Sequence, residues 1–282
     1  MKRTGIIALA MLLLAVSCNK GAPVGDSQLV VEGWIESGGH PVVLLSESIP
    51  IVVEKQMHSS DLVASLAKWA KVTVDDGQRA VTLTGVADNR YFPPYVFTSS
   101  KLTGEVGKTY NLHVEYKDYV ADASTTIPQP VPLDTVFVAS VTDSLCNVTC
   151  GFTDPVEKGN YYKFFTRTEG KDSHYHPSAL AQMDDSRMDG YTEVFLYSTQ
   201  RLMDLIDLPN IKEGDEMWVK LCTMDETGYR FWTAFETMLA SNTFNMYFGA
   251  DMGANIRGGV GYWIGYGVDG EKHLLLTDPA KE

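Results

Sequence analysis

The sequence predicts a mainly β protein, with an N-terminal immunoglobulin-like β-sandwich followed by a second antiparallel β-rich domain carrying one or two short helices. Three observations carry this expectation. Short runs alternate apolar and polar residues and are rich in β-branched and aromatic side chains, the pattern of half-buried strands. Gly, Asp and Pro punctuate those runs at hairpin spacing. Residues 127–132, Ile127-Pro128-Gln129-Pro130-Val131-Pro132, place three prolines in six positions. Proline lacks the N–H that a central strand needs, so this stretch reads as a stiff linker. It divides residues 28–126, the sandwich, from residues 135–282, with 127–134 between them.

Residues 28–35 (QLVVEGWI) read as the first strand, Gly38-Gly39 as a turn and residues 41–45 as the returning strand. In residues 61–70, Leu62, Leu66 and Trp69 fall near helical spacing behind Asp61, which predicts a short helix. Residues 71–74 and 80–84 flank Asp75-Asp76-Gly77, a strong hairpin signal. Residues 89–99 form an irregular aromatic stretch containing Tyr91, Phe92, Pro93, Pro94 and Tyr95. Residues 109–116 (TYNLHVEY) alternate cleanly, and residues 119–126 continue as an edge-like strand.

Beyond the prolines, residues 135–141, 148–153 and 161–167 read as strands. Residues 169–190 are polar and read as a long loop. Residues 191–197 and 216–224 (EMWVKLCTM) are strands again. Phe231, Phe235, Met238 and Leu239 then recur at helical spacing, and residues 228–241 are the best helix in the chain. Residues 258–267 interleave glycine with Tyr262, Trp263 and Tyr266. A phosphate loop would need a following Lys-Ser/Thr inside a βαβ unit. Neither is present, and the pattern suits a strand packed closely against a bend or a helix.

The chain opens on Lys2 and Arg3, a short apolar run through Val16, then Ser17-Cys18. A basic start, a short apolar core and small residues before a cysteine describe an export signal over residues 1–17, with lipid expected on Cys18. The run is shorter than the roughly 20 residues a spanning helix needs. The lipobox pattern prefers Leu three places before the cysteine, and Ala15 stands there. Residues 18–27 read as a flexible tether. Acyl chains on Cys18 would hold the chain on membrane lipid.

Loss of residues 1–17 removes two basic side chains, so the formal charge moves from −13 to −15. Such acidity opposes nucleic-acid binding, whose phosphates it repels. Export permits disulfides. Cys146 and Cys150, however, would lie about 13 Å apart in one continuous strand, too far to bridge. They and Cys222 read first as small buried hydrophobes.

The chemistry-bearing candidates are few. His174 and His176 sit two apart, so one strand face would offer both imidazoles to a metal, with Asp184, Asp185 and Asp189 close in sequence. Starting an EF-hand count at Asp185 puts Gly190 at the sixth position but Leu196 where Glu belongs. The competing reading is a solvated polar loop, and no cofactor is expected. Tyr91, Phe92 and Tyr95 are candidates for a platform that binds a glycan or peptide; the alternative is that they cover a core edge. No G-x-S-x-G or H-E-x-x-H motif is present.

An ordered set of segments resembles the DUF4249 family of Bacteroidota: the signal followed by residues 29–35, then Val72-Thr73-Val74-Asp75-Asp76-Gly77 and Gly107-Lys108-Thr109-Tyr110-Asn111-Leu112. After the proline segment come Phe152-Thr153-Asp154-Pro155, Gly159-Asn160-Tyr161-Tyr162, Gly214-Asp215, Tyr229-Arg230-Phe231 and residues 255–263. Ala254 stands where the family often has Pro. The resemblance implies an outer-membrane lipoprotein of unknown function whose gene often neighbours a TonB-dependent receptor, and it supplies no catalytic residues. The expectation is a non-enzymatic accessory lipoprotein assisting such a receptor in ligand binding or uptake. The alternative is an exported hydrolase acting on glycan or peptide. Acidic residues are missing just after Cys18, which favours the periplasmic face over the cell surface.

Overall fold

The structure, a computed structural model, describes residues 27–48, 63–91, 93–141, 146–188, 190–197, 211–240 and 255–279. Its N-terminal strands are β1 (Leu29–Glu36), β2 (Val42–Glu47), β3 (Lys71–Asp75), β4 (Ala80–Thr82), β5 (Thr84–Val86), β6 (Val96–Thr98), β7 (Thr109–Tyr116) and β8 (Tyr119–Thr126). After the prolines come β9 (Leu133–Val141), β10 (Cys146–Thr153), β11 (Tyr161–Thr168), β12 (His176–Asp184), β13 (Tyr191–Tyr197) and β14 (Glu216–Met224). Helix α1 (Glu226–Ala240) precedes β15 (Val260–Val268) and β16 (Lys272–Leu275).

The described residues form a mainly β, multi-sheet fold with one α-helix. A nine-stranded sheet runs β12-β11-β14-β15-β1-β2-β6-β5, with β16 beside β14. Two smaller sheets, β4-β3-β7-β8 and β13-β10-β9, lie apart from it. Side chains alternate across a strand, so register fixes which residues share a face. On one face the large sheet presents Val31 and Ile35 of β1, Trp263 of β15, Leu221 of β14 and Phe164 of β11. Both small sheets cover this face. One core joins Leu29, Val31 and Trp263 to Val72, Tyr110, Leu112 and Val114 of the four-stranded sheet. The other joins Tyr162, Phe164, Val219 and Leu221 to Val148, Cys150 and Phe152.

The proline segment crosses this same face. A Cβ on Gly267 would lie 2.4 Å from the Pro128 carbonyl oxygen, so only glycine lets the two backbones pass. Gly261 has φ +114°, and a Cβ there would lie 1.9 Å from the Val31 carbonyl oxygen. The glycines alternating with aromatics in β15 are thus the residues of a strand wedged between neighbours. Trp263 shares their face and enters the first core, while Tyr262 and Tyr266 turn to the opposite face.

The large sheet and the first core both draw on residues from either side of 127–134. β15 pairs in parallel with β1, Val30 opposite Val260 through Glu36 opposite Tyr266, and Ile256 and Trp263 complete the first core. The described pairings within residues 135–282 are antiparallel, and the parallel pair arises because β15 is shared with the sheet of β1. A pairing between strands some 230 residues apart leaves no local signal.

Two further expectations change. Residues 169–190 are not all loop, because β12 occupies 176–184. It is an edge strand with an irregular register against β11 and a left-handed Leu180 (φ +52°), which hides the alternation. Among the described part of 61–70, helical residues are confined to 63–64. Leu66 instead bridges Ser46, and Trp69 is 92% exposed. Asp61 and Leu62 lie outside the described residues. Cys146 and Cys150 do occupy one continuous strand, and with Cys222 they are buried.

Helix α1 packs on the opposite face of the large sheet. The Asp225 carboxylate accepts the Gly228 N–H at 2.8 Å and caps it. Phe231 and Trp232 meet Phe165, Cys222, Tyr262 and Ile264. A buried ion pair fixes it further: Lys163 Nζ donates to Glu236 Oε1 at 2.8 Å and to the Ser178 carbonyl at 2.7 Å, while Glu236 Oε2 accepts the Leu180 N–H at 3.0 Å. Among the described residues no helix is long and apolar enough to cross a membrane.

Candidate functional site

The helix covers only part of its face of the large sheet. The rest forms an open cleft of about 410 Å³, within the size range of ordinary small-ligand sites. Its floor follows from strand alternation. Glu32, Trp34 and Glu36 are outward residues of β1, alternating with Val31, Gly33 and Ile35, which are buried. Tyr262 and Tyr266 stand directly opposite Glu32 and Glu36 across the parallel pair. Lys220 of β14 pairs with Phe165 of β11, and Arg167 follows two residues on. Trp232 of α1 closes one end.

Two segments from opposite sides of the prolines make the roof. Tyr91 packs on Trp34, with ring centroids 6.0 Å apart, and on His174 at 5.0 Å. Ser173 Oγ donates to the Arg90 carbonyl at 2.7 Å, joining the 88–91 and 173–176 segments. Tyr175 descends from the second segment to the cations. The Lys220 ammonium lies 4.3 Å from its ring centroid and the Arg167 guanidinium 5.7 Å.

The electrostatics are set by depth. Burial raises the Glu32 carboxyl above its ordinary value, although the Tyr262 hydroxyl, donating at 2.7 Å, partly opposes this. Glu32 therefore keeps a proton more readily than an exposed glutamate. Burial acts against the Lys220 charge, but the neighbouring Cys222, then Glu36 at 2.7 Å and Glu271, outweigh it, so the ammonium is held above its ordinary value. Burial pushes the His174 imidazole down and the Tyr91 phenol up.

Of the residues expected from sequence, Tyr91 lines the cleft. Tyr95 is not among its lining residues: it packs edge-on against Phe97 at 5.6 Å and, half-buried, lies against the first core. His174 lines the cleft, and His176 stacks behind it at 4.4 Å. Cys18, Phe92 and Asp189 lie outside the described residues.

Among the described residues the candidate metal ligands do not converge. His176 pairs with Thr166 and Asp184 with Tyr161, five residues along β11, which separates them by about 17 Å. Asp184 accepts from Ser186 and Tyr229, and Asp185 from Asn160. The 185–188 turn already holds a cation of its own, since Lys158 Nζ donates to the Asp185 and Met188 carbonyls. Among the described residues no three His, Cys, Asp or Glu side chains converge.

Sequence reasoning missed Glu32, Trp34, Glu36, Arg167, Tyr175, Lys220, Tyr262 and Tyr266. A signal existed in β1, where Glu, Trp and Glu occupy alternate positions. Another was Lys220 in the middle of an apolar strand.

A family model described as "Domain of unknown function (DUF4249)" matches residues 21–272. No curated protein sequence matches the chain. Among solved structures, a chain of a cytokine receptor complex matches at 7% identity and TM-score 0.26, covering 90% of this chain and 100% of that one. A second cytokine receptor complex matches at 8% and 0.26, covering 71% and 92%. A two-domain fibronectin type III segment of chicken tenascin matches at 12% and 0.21, covering 70% and 91%.

Proposed function

The chain belongs to the DUF4249 family, and from that premise we propose that it is a lipid-anchored accessory protein of the outer membrane. In this reading it is non-enzymatic and presents a small-ligand cleft to a TonB-dependent receptor. The observation that carries the binding role is the cleft itself, where aromatic faces and charged side chains converge on one exposed sheet face. The signal at residues 1–17 and Cys18 motivate the anchor, and the acylated cysteine would sit on the periplasmic side. We also read β1, β2, β5 and β6 with the β4-β3-β7-β8 sheet as an immunoglobulin-like sandwich, because one shared core lies between them. The remainder forms a second unit.

The hydrolase alternative finds less support in the cleft. Glu32 and Glu36 are four residues apart on one strand, about 13 Å. Paired glycosidase carboxyls sit roughly 5–9.5 Å apart. Ser173 gives its hydroxyl proton to the Arg90 carbonyl at 2.7 Å, and His174 Nδ1 lies farther, at 3.2 Å. A serine nucleophile needs the opposite arrangement, with its proton directed to the histidine.

The test is recovery of the lipidated protein from its native membrane in gentle detergent, with mass spectrometry of what accompanies it. Stoichiometric recovery of a TonB-dependent receptor supports the accessory role. Recovery of the lipoprotein alone, under conditions that preserve other receptor complexes, sinks it. A Cys18→Ser variant should leave the membrane fraction, and retention there would refute the anchor.

A further inference from the structure

The cleft differs in charge from the molecule that carries it. The chain has 36 acidic against 23 basic side chains. The cleft is lined by Arg90, Arg167 and Lys220 against Glu32 and Glu36. The carboxylates paired with the two arginines, Asp88 and Glu169, lie outside the lining.

Lys220 is the central one. It is only 6% exposed, yet it lines the cleft. An ammonium has three N–H donors, and Glu36 Oε1 accepts one at 2.7 Å. The rest of the group lies over the Tyr175 and Phe165 rings, at 4.3 and 5.6 Å. Rings attract the cation but accept no conventional hydrogen bond. A buried ammonium with unfilled donors favours an acceptor, and a charged one most. The Arg167 guanidinium flanks the same Tyr175 ring at 5.7 Å and donates to Glu169 on its outer side. Two cations thus converge at one end, around a Tyr175 whose hydroxyl donates to the Glu271 carboxylate. Trp34, half-buried, offers an indole elsewhere on the floor of the same cleft, two strands from Lys220.

We infer that the cleft takes a small ring-bearing carboxylate, its acid group received by Lys220 and Arg167 and its ring laid against Trp34. The inference rests on the reading of this cleft as a ligand site and adds the chemistry of the ligand. Glu36 offsets part of the Lys220 charge, so the acid group is drawn by the remaining ammonium donors together with Arg167, and Glu32 lies farther along the strand. The same chemistry is offered by a sugar acid and by an aromatic acid.

Full-length protein in detergent is titrated with two matched pairs of probes at fixed ionic strength: galacturonate against galactose, and benzoate against benzamide. The expected result is that at least one acid binds about tenfold more tightly than its neutral partner, the factor that about 1.4 kcal/mol gives. The pair that shows the preference names the source, sugar acid or aromatic acid. Lys220→Met should reduce the preference to about twofold or less. Arg167→Gln, on a more exposed side chain, should reduce it in the same direction and decides the matter if Lys220→Met fails to fold by circular dichroism. Equal binding of acid and neutral partner overturns the inference. So does the absence of binding by all four probes, or an undiminished preference in the folded variants. Receptor recovery is read separately, so loss of the carboxylate preference with the receptor still recovered sinks this inference alone.

Discussion

Replacing Glu236 by Gln removes one charge from a pair sealed between helix and sheet. Lys163 is fully buried and Glu236 is 4% exposed. At 2.8 Å and an effective dielectric of about 20, their attraction is about 6 kcal/mol. Desolvation opposes it, and burial holds the Lys163 ammonium down to about 8 despite its partner. The intact pair is therefore worth little net, but breaking it strands a buried ammonium, which costs about 3–5 kcal/mol.

The lysine can escape by losing its proton, which sets the pH dependence. With a folded value below the unfolded 10.5, the unfolded state holds more protons over the window between them, so stability rises with pH there. In the wild type that window opens near 8. In E236Q it opens lower. The variant should therefore regain up to about 1.4 kcal/mol relative to wild type between pH 7 and pH 8. Urea unfolding at the two pH values reads both effects. The double variant K163M/E236L, with an apolar pair in place of the charged one, should recover to within about 1 kcal/mol of wild type. An E236Q loss under about 1 kcal/mol, or a double variant as unstable as the single, would refute the reasoning.

Gly261→Ala combines a positive φ with a collision against the Val31 carbonyl; a loss on the order of 3 kcal/mol or more is expected, and an unchanged melting temperature would contradict the parallel β1–β15 register. Asp76 is held down to about 2, first by the Arg79 N–H, then by Lys108 and the Gln78 N–H. Its contribution is complete above about 3.8 and fades as pH falls toward 2, so wild type should lose stability relative to D76N over that range, and parallel acid-unfolding curves would oppose this. Tyr91→Ala removes the ring between Trp34 and His174. Amide exchange should then quicken in both 88–91 and 173–176, whereas a change in 88–91 alone would show that the two roof segments are not coupled.

Strands with one buried face were legible because alternation is written locally. In β7, Tyr110, Leu112, Val114 and Tyr116 all turn inward, as the sequence pattern requires. The α1 stripe was legible for the same reason, and Asp225 marks its start. β12 was not, because an edge strand with an irregular register carries too little apolar patterning. Tyr91 lines the cleft while Tyr95, four residues on, packs against the first core, and composition does not separate the two.

By itself the sequence determined the class of the fold, the strand faces, the glycines that a close-packed strand demands and the acidic surface. These depend on residues near one another in the chain. Only the tertiary structure decided that β15 lies beside β1, and that choice makes the site. It brings Tyr262 and Tyr266 against Glu32 and Glu36, and through β14 and β11 it sets Lys220 and Arg167 on the same face. The physical reason is that strand pairing uses backbone hydrogen bonds common to every residue. Which strands pair is settled by how the buried faces close into shared cores, a condition on the whole chain and not on any segment of it.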